Sequence, residues 1–282
     1  MKAPRDVHDR MRREIEKTIA LVEHAPRGHD AKVEAVHDVR KRFKKVRAAL
    51  RLLREAIGDD AYHDTNLAFR DAARPLTRVR DAQMLVPTLD ALVGDDASVD
   101  SIRTVLRAAE EETSRRVLHD ARAFAVVRDF AKSALARETT RAFEGDGLAV
   151  AHGLRRVYRD ARRAFARARE TPSVQTLHEW RKQTKYLWHA LRFDDAPEQV
   201  TDAAHELSRV LGDDHDLAVL KQTLAADPTA FGGHRALKPL FARVDDKRSA
   251  LEQQAFTLGR QLFAALPAVF GARVEQVASD SP

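Results

Sequence analysis

From Ala35 to Ile57 the chain contains neither Gly nor Pro, so nothing interrupts a helix there. Val36, Val39, Phe43, Val46, Leu50, Leu53 and Ile57 recur at helical spacing and define one apolar side. His37, Arg40, Lys41, Lys44, Arg47 and Arg51 fall on the opposite side, within an arc of about 120°. Across the segment eight cations stand against two acids, Asp38 and Glu55. That excess equals the formal +6 of the entire 282-residue chain. Crowding like charges on one face destabilises a folded protein, and an anion that relieves the repulsion is the first explanation to test.

The remaining sequence favours helices as well. Charged residues make up 33% and apolar ones 44% of the chain, with only 11 Gly and 10 Pro, a composition suited to long amphipathic helices. No stretch sustains strand alternation, so the expectation is an all-α fold of about eight helices. Helices are predicted over residues 6–24 and over 35–57. Another starts near Ala61, kinks or restarts at Pro75 and continues toward Leu92. Residues 101–140 read as one long helical run, followed by helices at 148–169 and from Thr171-Pro172-Ser173 to Phe193. The last two are expected at 198–226, broken at Gly212-Asp213-Asp214, and at 234–266. Glu144-Gly145-Asp146-Gly147 is the strongest interruption. It divides the chain into halves at 1–143 and 148–270, with a loose tail over 271–282.

Several function classes drop out. The chain has no Cys, which removes disulfides, thiol catalysis and thiolate metal sites. The first residues lack the apolar core of a signal peptide, and no apolar run reaches membrane-spanning length. The expectation is a soluble cytoplasmic protein. Walker loops, dinucleotide-binding glycine fingerprints and nucleophile elbows are absent, and nothing calls for a cofactor or a metal.

The basic helix has a twin. Leu177 to Arg192 aligns with it 141 positions on, where His178, Glu179, Arg181, Lys182, Lys185 and Arg192 match His37, Asp38, Arg40, Lys41, Lys44 and Arg51. Leu177, Trp180, Leu187 and Leu191 take the apolar side; His178, Arg181, Lys182, Lys185, His189 and Arg192 take the polar side. Further on, the segment from Arg80-Asp81 to Leu85 is repeated from His215-Asp216 to Leu220, at an offset of 135. Two four-helix units, packed about a pseudo-two-fold axis with their basic faces opposed, are the simplest architecture.

This pattern resembles the CHAD domain, the conserved histidine α-helical domain family. It is carried by His37-x-x-Arg40-Lys41-x-x-Lys44 with Arg47 and Arg51, and again by His178-x-x-Arg181-Lys182-x-x-Lys185 with Arg192. The resemblance implies two four-helix bundles with internal pseudo-symmetry, whose basic helices line a central cavity or pore. It also implies non-enzymatic binding of inorganic polyphosphate and, in some members, targeting to polyphosphate granules. The halves are not equivalent, because Trp188 stands opposite Arg47, His189 opposite Ala48 and His215 opposite Arg80.

The chemistry of these residues agrees with such a partner. A phosphate polymer offers charge and oxygen acceptors and no bases to read. Arg40, Lys44, Arg47 and Arg51 repeat about every 5.4 Å along one helix face. Arg can fork two phosphate oxygens, whereas Lys acts as a mobile point charge. The expected site is His37, Arg40, Lys41, Lys44, Arg47, Arg51 and Arg80, with His178, Arg181, Lys182, Lys185, His189, Arg192 and His215. Nucleic acid is the alternative polyanion for the same faces. A metal-dependent phosphohydrolase of the HD type is a second alternative, raised by doublets such as His37-Asp38, His63-Asp64 and His215-Asp216. Asp81 and Asp216 read as orienting partners for nearby cations, or as members of inter-helix ion pairs with Arg80 and His215.

Overall fold

The computed structural model describes residues 3–24, 28–141 and 147–279, with side chains to Ala264 except that of Asp120. Among the described residues there are nine α-helices and no strand. They are α1 (Pro4–Glu23), α2 (His29–Ile57), α3 (Asp59–Val93), α4 (Asp100–Ser114), α5 (Ala123–Thr139), α6 (Gly147–Glu170), α7 (Val174–Phe193), α8 (Glu198–Ala226) and α9 (Gly233–Ser279). The all-α expectation holds. The four-residue breaker before Gly147 lies mostly outside the described residues, as do residues 280–282.

Three local expectations are corrected. Pro75 does not interrupt α3, which runs through both Pro75 and Pro87. Both prolines are exposed, so the carbonyl left without its N–H donor can turn to water and the helix continues. Gly212-Asp213-Asp214 does not break α8, because Asp214 is buried and its Oδ1 accepts from Arg248 Nε of α9 at 2.8 Å. Residues 101–140 form two helices instead of one. After α4 a π-helical turn at Arg115–Asp120 widens the coil, and Arg122 takes a left-handed φ of 49°. The chain thereby turns from α4, which packs on α3, to α5, which packs on α1. The last helix is described to Ser279.

Start signals explain several boundaries. Ser173 accepts from the Thr176 amide at 3.1 Å while Thr176 Oγ1 accepts from the Ser173 amide at 3.0 Å, a reciprocal cap that opens α7. Gly58, at φ 82°, supplies the single left-handed residue that lets α3 fold back beside α2.

Within the first part α2 packs between α1 and α3; in the second, α7 packs between α6 and α8. Across the two, α2 packs on α6 and α7, and α3 on α8. One apolar core runs through both parts, from Val7 and Met11 of α1 and Phe43 of α2 to Trp180 of α7 and Leu211 of α8. A smaller cluster around Leu89, Leu106, Leu220 and Leu237 closes the far ends of α3, α4, α8 and α9. The approach of α2 to α6 is set at Gly153, where any Cβ would collide with the backbone of Leu52. Apolar sides of α2 and α7 are therefore committed to the core, and their basic sides turn with those of α3 and α8 around one shared space.

Candidate functional site

That space is a cavity of about 750 Å³ bounded by α2, α3, α7 and α8. Twelve of the fourteen residues expected from sequence line it: His37, Arg40, Lys41, Lys44, Arg47, Arg80, His178, Arg181, Lys182, Lys185, His189 and His215. An adjoining hollow of about 490 Å³ shares Arg40, Lys44, Arg47 and Thr77, and adds Arg70 and Arg74 from α3. The basic lining thus continues from α2 toward an opening along α3.

Two expected residues lie elsewhere. Arg51 places its guanidinium 3.5 Å from the centre of the Tyr186 ring and donates to Asn66 Oδ1 at 3.2 Å and to the Arg47 carbonyl at 2.6 Å. It buttresses the wall of the cavity without facing into it. Arg192 is exposed at the end of α7 and lines a different, smaller hollow. Sequence reading also missed residues that do face the cavity, among them Thr77 and Met84 of α3 and His205, Ser208, Arg209 and Asp213 of α8. Their signal was present as helical stripes, 77-80-81-84 and 205-208-209-212-216-219, running through the expected Arg80 and Asp216.

The cavity holds cations without counter-ions. Among the described residues, Arg40, Lys41, Lys44, Arg80, Arg181 and Lys185 make no side-chain hydrogen bond or ion pair. Asp81 and Asp216 share the space but bond to none of them, so the inter-helix pairs considered from sequence do not form. Arg181 Nε is buried with no partner. Where cations pair, they do so at the margin: Lys182 with Glu179, and Arg209 with Glu206 and Asp213.

Proton affinities record the crowding. Burial, then Lys185, Arg40 and Arg181, pushes Lys44 well below the ordinary lysine value. Burial and then Arg181 lower Lys185 to about 8. Arg40 and Arg181 are also shifted downward, in each case first by burial. Burial drives Asp81 and Asp216 upward against the pull of Arg40 and Arg181. For these carboxylates desolvation outweighs the attraction, so they neutralise the cluster only in part.

The histidines are held neutral by their surroundings. His37 and His178 are exposed and depressed by partial burial, followed by Arg80 and Arg181 respectively. His215, whose Nδ1 lies 3.3 Å from His178 Nδ1, is lowered to about 3 by burial and Arg181. His189 is buried against Trp188, and Trp188 stacks in turn on His205 with ring centres 4.2 Å apart. That indole is thereby in contact with two imidazole rings. Trp180 is fully buried between Phe165 and Phe256, as the apolar face of its helix required. Among the described residues no three His, Asp or Glu side chains gather as a metal site.

The site is thus a helical shell in which basic faces of α2 and α7 line one cavity. A sequence model of the CHAD domain matches residues 11–225, well over half of the chain. The chain belongs to the CHAD domain family. The crystal structure of the CHAD domain from the plant Ricinus communis is similar in fold, with a TM-score of 0.59 at 18% identity over 92% of this chain and 89% of that one. No curated protein matches the sequence. Among the described residues no helix is long and apolar enough to cross a membrane.

Proposed function

We propose that this protein binds inorganic polyphosphate, without transforming it, in the cavity between α2, α3, α7 and α8. The observation that carries this reading is a set of six cations gathered from three helices around one space, none making an ion pair among the described residues, with Asp81 and Asp216 compensating them only in part. Crowded cations without ion pairs, most of them half-buried, repel one another, so a partner that supplies many anionic oxygens along a line offsets what the fold leaves out. Arg40 and Lys44 on α2 oppose Arg181 and Lys185 on α7, and a polymer lying between them meets both ladders. Trp180 is buried in the core and Trp188 is already stacked on His205, so both indoles are engaged within the fold, which favours a polymer without bases over nucleic acid. Membership of the CHAD family supports the same partner, and with it association with polyphosphate granules.

The test is calorimetric titration with polyphosphate chains of graded length. Affinity is expected to rise steeply until one chain reaches both ladders, then to level off, and to fall with added salt. Equal affinity for short and long chains would reject a shared grip. Displacement of polyphosphate by RNA at equal phosphate concentration would transfer the site to nucleic acid.

A further inference from the structure

A second, smaller hollow of about 160 Å³ lies between α1, α2 and the last turn of α7. Taking about 30 Å³ per liquid water, it has room for about five waters. That suits one or two phosphate groups. Its charge is lopsided. Arg13 and Lys17 stand one turn apart on α1, both exposed, and neither makes a hydrogen bond or ion pair among the described residues. Arg192 adds a third cation whose only partner is the Trp188 ring, 5.8 Å away.

The groups that would oppose an anion are already answered. Glu14, the one acid in the lining, accepts from Lys45 at 2.9 Å and from Arg42 at 3.1 Å. The carbonyls at the C-terminal end of α7, which would repel an anion, accept from Arg10 instead: Phe193 O at 2.8 Å and Arg192 O at 2.9 Å. One buried group is left wanting. His189 is 1% exposed and lines this hollow as well as the large cavity, and its Nε2 has no hydrogen-bond partner. A buried ring nitrogen in that state is costly unless something occupies the space beside it.

We propose that this hollow is a separate anion site for a phosphate group, bound by Arg13, Lys17 and Arg192 with the His189 ring at its base. The phosphate group can arrive as free orthophosphate or pyrophosphate, or as the end unit of a polymer. Burial, followed by Lys185, Lys45, Lys44 and Arg192, holds the ring neutral, so cations of both spaces bear on it. His189 then makes a reporter common to the two.

The site does not depend on the polymer reading, because neither Arg13 nor Lys17 lines the large cavity. The experiment titrates the full chain with pyrophosphate while following the His189 imidazole resonances. It is repeated in an Arg13→Gln/Lys17→Gln variant, whose changes are exposed and leave the core untouched. The expected result is a saturable shift in the wild type that needs at least ten times more pyrophosphate in the variant, with affinity for long polyphosphate unchanged. A shift produced by pyrophosphate and not by polymer assigns the free anion; a shift produced by polymer and lost in the variant assigns the chain end. An unchanged pyrophosphate midpoint in the variant, or no shift at all, overturns the site.

Discussion

Helix α2 carries two pairs of cations about 150° apart around its axis, and their circumstances are opposite. Arg42 and Lys45 meet Glu14 of α1, which accepts from both. Arg40 and Lys44, on the cavity side, are half-buried like the first pair, yet they bond to no acid: Asp81 acts on them only at a distance. Partial burial is common to the two pairs; the counter-ion is what separates them. The fold shows with Glu14 that it can neutralise a basic pair on this helix. It omits the same provision for Arg40 and Lys44, and does so again for Arg181 and Lys185 on α7. A set of cations left without an ion pair twice, at matched positions, is what the proposed anion would complete.

Removing charge from each pair separately gives the sharpest contrast. Replacing Arg40, Lys44, Arg181 and Lys185 together by Gln should weaken polyphosphate binding by at least about 100-fold, since each charge-assisted contact contributes on the order of 1.5–3 kcal/mol. The urea midpoint of the free protein should stay level or rise, because mutual repulsion is removed. The Arg42→Gln/Lys45→Gln variant should behave the other way. Its affinity for polymer stays within about threefold, while stability drops by about 3 kcal/mol as Glu14 loses both partners in a largely buried setting. Equal binding losses in the two variants would dissolve the distinction.

Titration is the next largest effect. Lys185 is lowered in the folded state to about 8, from an ordinary value of 10.5. Between those values the unfolded chain binds more protons than the folded one, so stability should rise as pH climbs through that window. Below about pH 8 the destabilisation is complete. A Lys185→Gln variant should show a flatter climb in urea unfolding. The lowered histidines act further down: as pH falls through 6.5 the unfolded chain gains protons that His37, His178 and His215 resist in the free fold. The unliganded protein should lose stability on acidification, and polymer binding should take up protons. Calorimetry near neutral pH in buffers of different ionisation enthalpy checks this, and heats independent of buffer would break the link.

The smallest expected effect belongs to Arg51, which is paired with an aromatic face and an amide. Arg51→Gln should lower stability by about 1 kcal/mol through loss of the contact over Tyr186, and change polymer affinity less than about twofold. A tenfold affinity loss would move Arg51 into the binding surface.

Much of this was legible in the chain because it is local. The apolar spacing of Val36, Val39, Phe43 and Val46 fixes which side of α2 is buried, and Trp180 falls to the core by the same rule on α7. A helical wheel gives direction only, and what stands in that direction depends on neighbours. Arg51 and Arg192 share the wheel position of the ladders, yet the first meets Tyr186 and the second lies past the cavity's edge. Asp214 reads as a breaker beside Gly212 until Arg248, far along the chain, supplies its partner. The π-helical turn at Arg115–Asp120 has no Gly or Pro to announce it. It answers to the different packing partners of α4 and α5, which no window of local sequence contains.

Gly153 brings the backbone of α6 against that of α2 at Leu52. Arg47, where the basic lining begins, is only about 7.5 Å along the axis from that contact. One of the four walls of the cavity, α2, is thus seated from behind like the fixed jaw of a spanner, by main chain on main chain, with no compressible side chain between. A single methyl at position 153 would displace that wall, where exchanges among the lining cations leave its seat untouched.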